Sequence, residues 1–123
     1  MMKGLTYSKS FCIEEKDTAL HIGSGDLKVL STPSLIASME NVAMNCAKSK
    51  LQEGYTTVGT LLNVRHLKAS KIGQNYTAKA TLIEENGRRL VFKVEAIDKN
   101  GNLLGDGEHE RYIVNIAKFM SKI

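Results

Sequence analysis

The sequence predicts an α+β fold in which one long helix packs against an antiparallel sheet of about five strands. Three observations predict it. One stretch, "STPSLIASMENVAMNCAK" at residues 31–48, carries apolar residues at helical spacing. After Gly54 the apolar residues recur with period two, as they do in half-buried strands. The strand-like segments follow one another through "ENGR" and "DKNG", which are hairpin-turn signals, so no helix alternates with them.

Residues 5–13, "LTYSKSFCI", read as a first strand anchored by Leu5, Tyr7, Phe11 and Ile13. "HIGSGDLKVLSTP" has two glycines and little periodicity and reads as a loop. The helix then begins with Ser31 or Thr32 as N-cap, and Pro33 suits the first helical position. It is expected to run to roughly Leu51 and to end at "EGY". Leu35, Met39, Val42 and Cys46 form one stripe, and Ile36, Ala43 and Ala47 the next. Ala37, Met44 and Leu51 widen the arc, leaving Ser34, Ser38, Asn41, Asn45, Lys48 and Ser49 as the polar side. A helix apolar over more than half its circumference is enclosed by other protein. One helix and about five strands achieve that if the sheet curls around the helix, which is the hotdog fold. Two such sheets commonly pair edge to edge, so a homodimer is expected.

The later strands follow in order. "TVGTLLNVRHL" places Thr60, Leu62, Val64 and His66 on one face. "NYTAKATLIEE" does so with Tyr76, Ala78, Ala80 and Leu82, and "RRLVFKVEAID" with Leu90, Phe92, Val94 and Ala96. "KASKIGQ" is a longer loop, and "NLLGDGEHERYIVNI" is the last strand.

Length and composition narrow the function. With 123 residues, the chain makes one domain spanning 1–123. A net charge of +4, dispersed basic residues and no tryptophan argue against a nucleic-acid partner. The balance suits a small anionic ligand as well as it suits ordinary surface charge. Cys12 and Cys46 lack metal-ligand spacing, and no metal is expected. Cys46 falls on the apolar face, as a buried reduced thiol does. The start, "MMKGLTYSKSF", has no apolar run, and no stretch is long enough to span a bilayer. No signal peptide, no membrane association and a cytoplasmic location are therefore expected.

Four residues could carry chemistry, and each also has a structural explanation. Glu40 lies on the apolar arc, where an unpaired carboxylate is costly; it is either a border residue or a functional acid. His66 shares a face with Leu62 and Val64, as a core histidine or as a base titrating near neutral pH. Thr32 is either a helix cap or a hydroxyl placed where the helix dipole favours a developing anion. Arg111, in "GDGEHER", forms a surface ion pair or holds a carboxylate or phosphate. The glycines of "GSG" and "GDG" lack phosphate-loop spacing.

Four segments taken together, "STPSLIASME", "GYTTVGTLLNVRHLKAS", "NGRRLVFKVEAID" and "GEHERYIV", resemble the fluoroacetyl-CoA thioesterase-like family of hotdog proteins. The likeness runs from residue 31 through the tail "NIAKFMSKI". It implies hydrolysis of a small acyl-CoA thioester to a carboxylate and CoA, with the CoA thioester as substrate and no cofactor. It implies Thr32, Glu40 and His66 as catalytic residues, and Gly59 and Arg111 as substrate-binding residues. The family's fluoroacetate-specific member has an aromatic lid before the helix. Here that segment is "GSGDLKVL", without an aromatic, which implies a broader acyl range. A non-catalytic hotdog protein that binds acyl-CoA or another small ligand is the other class consistent with the sequence.

Overall fold

A computed structural model describes residues 3–123 of the chain. The elements in order are β1 (Thr6–Cys12), a 3-10 turn (Glu15–Asp17), α1 (Ala19–Ile22), α2 (Thr32–Lys48), β2 (Tyr55–His66), β3 (Asn75–Asn86), β4 (Arg89–Asp98), β5 (Leu103–Asn115) and α3 (Ile116–Ser121). The five strands form one sheet in the order β1-β3-β4-β5-β2, with every neighbouring pair antiparallel. Helix α2 packs across this sheet, giving the expected hotdog arrangement, with β1 and β2 as the sheet's two edges.

Three local expectations are revised. The segment read as a loop contains α1, whose single turn is too short to show periodicity; the Thr18 hydroxyl caps it by accepting from His21 N–H. Helix α2 ends at Lys48 rather than near Leu51, because the chain tightens into i→i+3 bonds from Lys50 N–H to Ala47 and from Leu51 N–H to Lys48. The last strand stops at Asn115, whose side chain accepts from Lys118 N–H and starts α3.

The core lies between α2 and the middle of the sheet. Leu35, Met39, Val42, Ala43, Cys46 and Ala47 of the helix meet Tyr76, Ala78, Ala80 and Leu82 of β3 and Leu90, Phe92, Val94 and Ala96 of β4. These strand residues are the inward sets expected from their alternation. Ser38 departs from its expected polar side and is buried, with its hydroxyl donating to the Leu35 carbonyl at 2.6 Å. That bond satisfies the hydroxyl locally, so burial is tolerated. Ala37 is exposed, and Ile36, Glu40 and Met44 form a half-buried stripe at four-residue spacing. Cys46 is buried as a free thiol that donates to the Leu5 carbonyl, and burial raises its pKa.

The inner face is divided between two chemistries. Opposite residues of antiparallel strands point to the same side. Leu90, Phe92, Val94 and Ala96 pair with Arg111, His109, Gly107 and Gly105 respectively. The β3–β4 half of the inner face is therefore apolar, while β5 presents two glycines, a histidine and an arginine. The glycines allow close approach to β2: a Cβ on Gly107 would collide with the Asn63 carbonyl and lie 2.7 Å from Val64 Cα. Because backbone blocks that position, Gly107→Ala is expected to cost at least as much as a core truncation, about 2–5 kcal/mol. The measurement is the urea midpoint, and an unchanged midpoint would show that β2 and β5 part freely.

Candidate active site

The site begins where α2 starts and β2 ends. Two hydroxyls precede Pro33, and they divide the work. Ser31 is the N-cap, its hydroxyl accepting from Ser34 N–H at 3.0 Å. Thr32 is thereby free of capping, and its Oγ1 lies 2.8 Å from His66 Nδ1. Burial lowers the His66 pKa from 6.5, so the ring is neutral at pH 7. Its other nitrogen, Nε2, is buried without a hydrogen-bond partner among the described residues. Beside this pair opens a cavity of about 350 Å³ whose wall mixes apolar residues such as Val29, Leu30 and Leu67 with Ser24, Ser31 and Lys68 and carries no Phe, Tyr or Trp.

A second group lies further along α2 and β2. The Arg111 guanidinium is buried. It donates from Nε to Thr57 Oγ1 at 2.8 Å, from Nη2 to the Thr57 carbonyl at 2.9 Å, and from Nη1 to His109 Nε2 at 3.1 Å. Burial lowers the Arg111 pKa, and the Glu40 charge works against that shift. Gly59 supplies a gap in front of these groups. A methyl placed on its Cα would lie 3.1 Å from Glu40 Oε2, 3.2 Å from His109 Cε1 and 3.3 Å from Arg111 Nη1. A carboxylate and a guanidinium therefore converge on one small space that only glycine leaves open.

The chain brings Thr32 and His66 into contact and gathers Glu40 with Gly59 and Arg111. These are two separate groups. Eight residues of helix separate Thr32 from Glu40 by about 12 Å, and Gly59 and His66 belong to opposite halves of β2. Both groups face the inside of the sheet because of a bulge. Gly59 pairs with Arg111 and Leu61 with Glu110, so Thr60 is the extra residue; beyond it Leu62, Val64 and His66 pair with the inward residues 109, 107 and 105. The expected inward set of Thr60, Leu62, Val64 and His66 thus holds from Leu62 onward. At the bulge Gly59 takes the inward place, and Thr60 Oγ1 instead donates to the Glu110 carbonyl.

Sequence reasoning missed Thr57 and His109. The signal was present in "GDGEHER", where every second residue from Gly105 is glycine, glycine, histidine and arginine. Polar residues at consecutive inward positions mark a functional lining more than a core.

Comparison with known proteins bears on the family and the fold. A family model described as fluoroacetyl-CoA-specific thioesterase matches residues 13–117. A fluoroacetyl-CoA thioesterase of Streptantibioticus cattleyicolor is 31% identical over 96 residues, which span 78% of this chain and 68% of that protein. A solved structure of the fluoroacetyl-CoA thioesterase FlK superposes with a TM-score of 0.91 at 27% identity, covering 99% of this chain and 94% of that one. A Thr-to-Ser variant of that enzyme in complex with acetyl-CoA superposes with a TM-score of 0.92 at 26% identity, covering 99% and 96%. A hypothetical protein of Thermus thermophilus, a thioesterase superfamily member, shares the fold at 24% identity with a TM-score of 0.90, covering 98% and 88%.

The lowered pKa of His66 has a measurable consequence. Below pH 6.5 the unfolded chain takes up a proton at this position more readily than the folded one, so stability falls as pH drops below that value. NMR titration of His66 is expected to give a midpoint below 6.5, with His66→Gln flattening the loss of stability on acidification.

Proposed function

Since the chain belongs to the fluoroacetyl-CoA-specific thioesterase family, we propose that it hydrolyses acyl-CoA thioesters at a site formed between two copies of the chain. Thr32 and His66 come from one copy, and Glu40, Gly59 and Arg111 from the other. The observation that carries this reading is the Nε2 of His66, a buried nitrogen without a hydrogen-bond partner among the described residues.

The edge strand favours such an assembly. β2 has a free edge, and Leu61 and Leu62 are 46% and 38% exposed on it. The half-buried stripe of Ile36, Glu40 and Met44 lies on the helix that packs beside it. Antiparallel pairing of two β2 strands about a twofold axis through Asn63, with Thr60 as the extra residue of the bulge, would set Gly59 of one copy opposite His66 of the other. The two groups would then enclose one thioester.

The chemistry follows from the groups assembled. The thioester carbonyl enters the space beside Gly59. Its developing oxyanion takes support from the Gly59 amide, Thr32 and the N-terminal end of α2, donors worth roughly 3–4 kcal/mol each when preorganised. Neutral His66 takes a proton from water as the water oxygen attacks the carbonyl carbon. Glu40 orients that water. The tetrahedral intermediate then expels CoA by breaking the C–S bond, and the proton on His66 passes to the departing sulfur. The acid so formed gives its remaining proton to solvent, and Arg111 holds the carboxylate until release. The cavity beside Thr32 has no Phe, Tyr or Trp on its wall, which supports an acyl group broader than fluoroacetyl.

A panel of short, branched and aromatic acyl-CoAs, followed by thiol release, tests this reading. Turnover is expected, and tight binding without turnover across the panel would identify a binder instead. His66→Ala and Glu40→Ala should each reduce hydrolysis at least about a hundredfold. Mixing those two variants should restore about a quarter of wild-type activity, because half the dimers become heterodimers with one intact site of two. No recovery on mixing would place both groups in one copy. Thr32→Ser should retain far more activity than Thr32→Val, and equal loss in both would remove the hydroxyl from the mechanism. Gly59→Ala should fill the gap before Glu40 and Arg111 and lower kcat/KM at least about tenfold with the melting midpoint nearly unchanged.

A further inference from the structure

We infer that His109 is a positioning residue, locked as one neutral tautomer, that aims the Arg111 guanidinium at the space beside Gly59. His109 has no exposed surface, and both its ring nitrogens are used. Nδ1 lies 2.8 Å from the Leu61 carbonyl, and Nε2 lies 3.1 Å from Arg111 Nη1. A carbonyl can only accept and a guanidinium can only donate. The ring must therefore carry its proton on Nδ1 and present a bare lone pair on Nε2. No other arrangement satisfies both neighbours, and a protonated ring would turn an N–H toward the guanidinium. Burial and the Arg111 charge both push the His109 pKa down, in agreement with a neutral ring.

The two bonds connect features that are separate in sequence. The Leu61 carbonyl belongs to the residue just after the bulge that turns Gly59 inward. Arg111 is the residue paired with Gly59 across the strands. His109 therefore grips both walls of the gap at once: the β2 backbone through Nδ1, and the guanidinium through Nε2. Thr57 holds Nε and Nη2 of the same guanidinium, so the His109 bond is the one that sets Nη1, the nitrogen nearest the gap. Phe92 lies against the imidazole, with ring centroids 6.5 Å apart, and supports its orientation from β4.

Only the meaning of Arg111 as a substrate-holding group rests on the proposed thioesterase reading; the positioning itself does not. The test uses the full chain. In wild type at pH 7, nitrogen-resolved NMR should find His109 protonated on Nδ1 and bare on Nε2, with the Arg111 side-chain protons protected from solvent exchange. His109→Gln returns an acceptor near the Nε2 position and should keep that protection within about threefold, whereas His109→Asn returns only the Nδ1 donor and should lose it by at least about tenfold. A protonated Nε2 in wild type, or equal exchange in all three proteins, overturns the assignment. If His109→Asn does not fold, Arg111→Lys carries the test from the other side. Removing the guanidinium should shift the His109 Nε2 resonance, and an unmoved resonance overturns the pairing. These readouts need no turnover, so they stand or fall apart from the thioesterase reading. Where hydrolysis is measured, His109→Asn should lower kcat/KM at least about tenfold, His109→Gln should recover most of it, and adding His109→Asn to Arg111→Lys should cost little more. Fully additive losses would make His109 a packing residue only.

Discussion

The buried guanidinium of Arg111 is the interaction on which the site depends. A cation taken out of water is tolerated only where its donors are met. Here the hydroxyl and carbonyl of Thr57 and the imidazole of His109 meet them. Those partners lie on β2 and on β5, so the charge ties the edge strand to the sheet. The same bonds place Nη1 within reach of the gap at Gly59, facing Glu40. The packing of the sheet edge and the electrostatics of the site therefore have one cause.

The division of the inner face follows from that placement. Over β3 and β4 the helix meets a continuous apolar surface, and this is where the fold is held together. Over β5 the inward residues from Gly105 to Arg111 are glycine, glycine, histidine and arginine, which contribute little apolar area. Five strands cannot close fully around one helix, and the stripe of Ile36, Glu40 and Met44 remains half-buried. A chain of this size leaves a surface and a strand edge that a second copy can cover. The two polar groups lie along that edge, one near each end of β2.

Thr32 illustrates how local structure frees a side chain from capping. A hydroxyl at a helix start is ordinarily occupied with capping. Because Ser31 accepts the Ser34 N–H, the adjacent hydroxyl turns to His66. Burial keeps that imidazole neutral, so a basic nitrogen stands beside the positive end of a helix, where a developing negative charge is favoured.

The fold was legible in the sequence because its evidence is periodic. Alternation in β3 and β4 named the inward residues, and helical spacing identified α2 as enclosed. Such patterns are local and survive without knowledge of the partner strand. The helix end, α1 and α3 were not legible, since a single turn carries too few residues to show a period. Thr32, Glu40, His66, Gly59 and Arg111 were named as candidates from the family resemblance of their motifs. Their grouping was not legible. The bulge at Thr60 shifts the inward register by one residue, a fact of strand pairing that no single strand reveals. Only the tertiary structure decided that Thr32 and His66 stand together, that Glu40 faces Gly59 and Arg111, and that His109 holds the guanidinium. Sequence spacing sets the order of groups along a chain, whereas contact between them depends on which strands pair and where the register slips.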